Sequence, residues 1–171
     1  HGTDILIRSI VTHNPKTIID LGCGTGDFFN PHINTPYTGL DTSRKYISYA
    51  KNIYESFTWA TFICKDILTT SFLNNKRFDG VIFVSMMHHF PEKDINLICQ
   101  KIKKVKPKVI VIADVIPNPT GFLRKLAVKL DRGRHIRLID EKLRIIKRHF
   151  RIVHSEIIQS RLAVQFGVAC K

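Results

Sequence analysis

The sequence is short of cysteine and methionine, holds a single tryptophan, and has no long apolar run; these shortages exclude several classes of protein. Four cysteines in 171 residues, Cys23, Cys64, Cys99 and Cys170, lie far apart with no C-x-x-C pair. That spacing suits neither a disulfide framework nor a zinc site, so reduced thiols are expected. His88 and His89 are adjacent and lack companion ligands at metal-binding spacing, so no metal is expected. The longest uncharged apolar stretches, 80–87 and 109–113, fall well below the roughly 20 residues of a membrane-spanning helix. Neither end reads as a basic-then-apolar leader with a small-residue cleavage site. The expectation is a soluble cytoplasmic protein, with a missing natural start left open because the first residue is His1.

What is present is enough for one core. With 44% hydrophobic residues, the chain reads as a single domain over 1–171. Charge divides unevenly. Residues 1–100 hold nine Lys/Arg and nine Asp/Glu, while 101–151 hold sixteen against four, so twelve of the thirteen net positive charges sit in that second stretch. Such a field attracts phosphorylated metabolites, nucleic acid, acidic proteins or anionic lipid heads, and does not choose among them. Oligomeric state is not legible.

Periodicity alternates between strand and helix. Strands are expected at 16–21, 37–41, 58–65, 78–85 and 109–114, each apolar or rich in β-branched and aromatic residues. Between them, Ser43 can cap a helix with Tyr46, Ile47, Ala50 and Ile53 or Tyr54 at helical spacing. Pro91 opens a helix whose apolar positions run into Lys101, Lys103, Lys104 and Lys106 before Pro107 stops it. Asn118 and Pro119 start another, and a further amphipathic helix covers about 140–149. Two closing strands near 150–158 and 162–170, joined by Gln159, Ser160 and Arg161, make an antiparallel hairpin. The opening reads β-α-β-α. The whole predicts an α/β, Rossmann-like, doubly wound and mostly parallel seven-stranded sheet with a C-terminal antiparallel hairpin.

In such a sheet the ligand site lies beyond the carboxyl ends of the strands. The first strand ends in Asp20-Leu21-Gly22-Cys23-Gly24-Thr25-Gly26. A P-loop needs G-x-x-x-x-G-K-[ST], which is absent. A dinucleotide fingerprint needs a third glycine where Asp27 stands, and a carboxylate there would repel a diphosphate. An acid followed by G-x-G-x-G resembles instead the first motif of class I S-adenosylmethionine-dependent methyltransferases, matched here at Asp20, Gly22, Gly24 and Gly26, with Cys23 between them. The resemblance spans about 16–114. It implies S-adenosylmethionine as cofactor, Asp41 with Thr42 beside it at the ribose, Asp66 and the backbone of Ile67 at the adenine, and Ser85 near the methionine end.

The resemblance also narrows the acceptor. The segment Ser85-Met86-Met87-His88-His89-Phe90-Pro91 lacks the N/D-P-P-Y motif of base-directed DNA methylases and protein glutamine methylases, and there is no Pro-Cys pair for cytosine C5 chemistry. It is similar to the quinone- and polyketide-type small-molecule branch. His88, with His89 second, is the candidate base, while at least one of the pair is expected to pack and hydrogen-bond backbone. Arg132, Arg134, His135 and Arg137 form the candidate acceptor-side loop, where guanidinium groups could bind phosphate or carboxylate; a solvated turn is the alternative. Three functions stay open: methyl transfer to an O, N or C atom of an anionic small molecule or lipid precursor, RNA methylation using 101–151 as a phosphate footprint, or a noncatalytic adaptor docking on acidic partners or membrane.

Overall fold

Each strand of the sheet forms where the chain can bury side chains on both faces. In the computed structural model, residues 10, 12–116, 135–159 and 164–171 are described. All four residues of β1 (Ile18–Leu21) are buried, as are all five of β4 (Gly80–Val84) and the first six of β5 (Val109–Ile116). Continuous burial of this kind is the mark of parallel strands covered above and below. With β2 (Tyr37–Asp41), β3 (Ala60–Cys64), β6 (Ile152–Gln159) and β7 (Val164–Cys170), they form one seven-stranded sheet in the order β3-β2-β1-β4-β5-β7-β6. The first five pair in parallel, and β7 runs antiparallel to both β5 and β6. The strand order reverses between β1 and β4, which places a crevice at their carboxyl ends.

Three helices are capped and terminated much as their sequences dictate. Helix α1 (Arg44–Ile53) starts at Ser43, whose hydroxyl accepts from the Tyr46 amide at 3.3 Å, and buries Ile47 and Ala50. Pro91 caps α2 (Glu92–Lys104), which carries Glu92 and Asp94 in its first turn and Lys101, Lys103 and Lys104 in its last. Helix α3 (Ile139–Lys147) buries Ile145 and Ile146 and, unusually, Lys142. The residues of α2 and α3 pack with Leu21, Phe83 and Ile112 on one face of the sheet; α1 packs with Ile18, Ile82 and Val111 on the other. Among the described residues no helix is long and apolar enough to cross a membrane. All four cysteines are free.

One element departs from expectation. The glycine turn was expected to lead into a helix, but 22–36 consists of turns. Pro31 and Pro36 lack the amide that a helix ladder needs, and the turn closes on i to i−3 bonds, Gly26 N to Cys23 O at 2.8 Å and Phe29 N to Gly26 O at 2.9 Å. Phe29 then substitutes for helix packing. Its ring lies 4.8 to 5.5 Å, centroid to centroid, from Tyr37, Tyr54 and Phe57, filling the space a helix would cover. The helix expected after Asn118 and Pro119, and the link Ser160-Arg161, lie outside the described residues.

Candidate functional site

The carboxyl ends of β1 to β4 open onto a cleft of about 440 Å³. One wall carries Gly22, Asp41, Thr42, Lys65, Asp66, Ile67 and Leu68, and the other Met86, His89 and Phe90. That volume is on the scale of a small-molecule site, roughly 300–1,000 Å³.

The glycine turn is shaped by two different demands. Gly22 has φ +81°, and a Cβ there would sit 2.2 Å from the Met86 sulfur, so the two walls touch where only glycine fits. Gly24, at φ +53°, would meet nothing within 4 Å, which leaves its outer side open to a ligand. Gly22→Ala is therefore expected to lower the melting temperature by several degrees, through both the contact and the left-handed backbone. Adding Met86→Ala should recover part of that loss, the part due to the contact, in a thermal melt.

Carboxylates from three successive strand ends shape the cleft. Asp41 Oδ2 accepts from Gly24 N at 2.9 Å and its Oδ1 from Ser43 N at 2.7 Å, so one side chain ties the glycine turn to the start of α1. Asp66 Oδ1 accepts from Leu68 N at 2.8 Å, folding the turn after β3 back on itself. Asp20 lies behind the glycine turn, 1% exposed, and accepts from the Tyr37 hydroxyl at 2.6 Å. Burial pushes its carboxyl up to about 7, against the lowering effect of the Tyr37 bond, and the charges of Asp41 and Asp27 add to the rise. The buried Cys23 thiol is likewise held far up, by burial first and then by Asp20 and Asp41. Burial is the larger cause in both, and the neighbouring carboxylates add to it. An amine, a diol and a positively charged centre suit this set of acceptors.

The opposite wall begins with a strained residue. Ser85 follows β4 at φ +54°, its amide bonded to Ala113 O at 2.8 Å, and from there the chain enters a single 3₁₀ turn, Met87–His89. The two histidines diverge. His88 is buried, its Nδ1 hydrogen-bonded to Asp114 Oδ1. The other Asp114 oxygen accepts from Lys142 Nζ at 2.8 Å, and Lys142 also donates to Val115 O. His89 is exposed, lines the cleft, and lies 4.1 Å from the His88 ring, centroid to centroid. His135 N donates to His88 O at 2.9 Å. Arg137 donates to Met87 O, Phe90 O and His135 O at 3.2, 2.9 and 3.1 Å. These two residues of the candidate acceptor loop therefore hold the histidine turn by its backbone, while Arg132 and Arg134 lie outside the described residues.

Sequence reasoning did not find Tyr37, Asp114, Lys142 or Lys101 as parts of this region. Two of them had a readable signal. Asp114 is an acid at the end of a continuous apolar strand, and Lys142 falls on the apolar stripe of its helix with Ile145 and Ile146 at i+3 and i+4.

Comparison with known proteins gives a consistent picture. Residues 18–107 match the family described as "Methyltransferase domain". The chain is 26% identical over 128 residues to a demethylmenaquinone methyltransferase of Thermotoga maritima, covering 71% of this chain and 53% of that protein, so it spans about half the length of that curated relative. Among solved structures, magnesium protoporphyrin IX methyltransferase from Synechocystis PCC 6803 with bound SAH superposes with a TM-score of 0.75 at 18% identity, over 98% of this chain and 80% of that one. The [4+2]-cyclase SpnF superposes with a TM-score of 0.78 at 16% identity, over 99% of this chain and 79% of its own. These likenesses establish the fold, and the cyclase shows that the fold alone does not fix the reaction.

Proposed function

The chain belongs to the methyltransferase domain family, and from that premise we propose that it transfers a methyl group from S-adenosylmethionine to an O, N or C atom of an anionic small molecule or lipid precursor. The observation that carries this reading is the convergence on one cleft of Gly22, Asp41, Asp66 and Ile67 from one wall with the histidine turn from the other. The residues fit the cofactor. Asp41 would take its ribose hydroxyls, Asp66 and the Ile67 backbone its adenine, and the open side of Gly24 its amino-acid end, with Asp20 supplying negative charge behind. When bound, S-adenosylmethionine supplies a methyl group on a positively charged sulfur, already activated toward displacement.

The protein is left with positioning and proton removal. Met86 and Phe90 form an apolar edge against which an acceptor can be held. His89, exposed at that edge, is the imidazole placed to take a proton from the acceptor at a ring nitrogen. His88 lies behind it, fixed by Asp114. Arg132 and Arg134 are assigned, from the sequence, to an anionic group of the acceptor. The reading of a small acceptor over RNA is supported by the place of other cations. Lys104 and Lys106 join Lys76 and Arg77 around a depression before β4 and β5, at the far end of these strands from the cleft.

Isothermal titration of S-adenosylmethionine and S-adenosylhomocysteine tests the proposal. Micromolar binding is expected, weakened at least about tenfold in Asp41→Ala and less in Asp41→Asn, which keeps one acceptor oxygen for the turn. Folded protein that binds neither ligand would overturn it. Demethylmenaquinone, reduced to the quinol, is the first acceptor to offer, because a relative's name specifies it.

A further inference from the structure

Lys101 sits in the last turn of α2, inside a basic run whose sequence suggests only complementarity to the helix dipole. Its ammonium has another use. Nζ donates to the carbonyls of Ile67, Leu68 and Thr70 at 2.8, 2.6 and 3.0 Å. An ammonium has three hydrogens, and three converging carbonyls match them. These carbonyls belong to the turn that Asp66 opens, in which Leu68 N donates to Asp66 Oδ1 and Thr70 N to Asp66 O at 2.9 Å. The turn is held from both sides, its amides by Asp66 and its carbonyls by Lys101. Burial lowers the ammonium's pKa and the Asp66 charge works against that fall, as expected of a cation drawn in by the group it helps to place.

Helix α2 makes this clamp more than local. It starts directly after the histidine turn and runs 13 residues, a rod about 20 Å long. Arg137 holds the turn at one end through Met87 O and Phe90 O, and Lys101 holds the 66–70 turn at the other. The two walls of the cleft are thereby joined through one rigid element.

We propose that Lys101 is a positioning residue for purine selectivity: by fixing the 66–70 turn it aims Asp66 so that the cleft accepts an adenine amino group and rejects a purine with oxygen in its place. The inference rests on the cofactor reading above. A carboxylate accepts hydrogen from an amine and repels a carbonyl oxygen, but it discriminates only if it cannot turn aside.

The test compares S-adenosylhomocysteine with S-inosylhomocysteine, in which oxygen replaces the purine amino group, by isothermal titration into wild type, Lys101→Met, Lys101→Arg and Lys104→Met. Wild type is expected to prefer the adenine ligand by about tenfold or more. Lys101→Met should weaken that ligand about tenfold and the inosine ligand less than about twofold, so that the preference collapses. Lys101→Arg, with a planar fork in place of a three-way donor, should fall between, and Lys104→Met on the same turn should match wild type. Equal weakening of both ligands by Lys101→Met would mean a merely structural role and would overturn the proposal, as would no change in either. Amide hydrogen exchange on the ligand-free proteins separates this failure from that of the cofactor reading: Lys101→Met should speed exchange at Leu68 and Thr70 whether or not ligand binds, and unchanged exchange refutes the clamp. If wild type binds neither homocysteine ligand, the cofactor reading and the selectivity role fall together.

Discussion

Asp114→Ala is expected to destabilise the protein by about 3–5 kcal/mol in urea denaturation at pH 7, roughly a third to a half of the ~10 kcal/mol that holds an ordinary domain folded. The reason is the place of Lys142, whose side chain, like that of Asp114, is 0% exposed. Removing the carboxylate strands a buried ammonium and strips His88 of the partner on its Nδ1. Lys142→Ala should cost less, because the carboxylate keeps its hydrogen bond to His88. The double replacement Asp114→Asn with Lys142→Met removes both charges, nearly conserves volume, and is expected to lie within about 1–2 kcal/mol of wild type. If the double variant loses as much as Asp114→Asn and Lys142→Met lose singly, added together, burial of charge is not what couples these residues. The folded double variant also provides a protein in which His88 lacks its carboxylate, the right background in which to ask what that bond does for the histidine turn.

Asp20→Asn should make the ligand-free protein more stable and the ligand weaker. The unfolded carboxyl titrates near 3.8 and the folded one at about 7. Below pH 4 both states hold the proton and the variant should melt with wild type. Between pH 4 and 7 the unfolded chain ionises while the native one keeps its proton, so wild-type stability falls with rising pH by up to about 1.4 kcal/mol per unit. Above pH 7 the gap levels off, at roughly 4 kcal/mol if the full shift is realised. Asn cannot ionise, and its carbonyl can still accept from the Tyr37 hydroxyl. Melts from pH 4 to 8 should therefore show the two proteins diverging upward through this window. Titration calorimetry should show the opposite trend for ligand: wild type binds S-adenosylhomocysteine more tightly as pH rises from 6 to 8, while Asp20→Asn binds weakly and with little pH dependence. Parallel melting curves at every pH would show that Asp20 carries no raised titration.

Much of the glycine-turn wall of the cleft was legible because it depends on strand ends. An apolar strand must stop where its burial stops, so Asp20, Asp41 and Asp66 could be placed at the mouths of β1, β2 and β3 by counting, and Ser43 announced α1 by its side-chain oxygen. The first crossover was less legible because a glycine turn after a strand so often starts a helix; here Pro31 and Pro36 mattered more, and Phe29 anchored the turns. His88 and His89 could not be separated, since a one-turn 3₁₀ segment has no periodicity to say which ring faces inward. Lys101 and Arg137 read as charge, and charge in a sequence carries no direction. Only the fold brings the carbonyls of 67–70 and 87–90 to them. Lys142 was the clearest missed signal, a cation on an otherwise apolar stripe that demanded a buried anion, with Asp114 the acid waiting at the end of the central strand.

The position of β7 between β5 and β6 sets a schedule for the protein's birth. Strand β5, Val109–Ile116, is almost wholly apolar, and among the described residues its outer edge pairs with Val164–Cys170. The residues that cover it are made some fifty positions later, so at ordinary elongation rates the edge stays open for on the order of several seconds after β5 itself emerges. During that interval the nascent chain presents a hydrophobic strand with one edge unpaired near the centre of its future sheet, a feature prone to join a neighbour's. A ribosome that pauses between the codons for β5 and β7 would lengthen this exposure, and a chain interrupted there would carry every residue that lines the cleft yet remain a sticky five-stranded sheet.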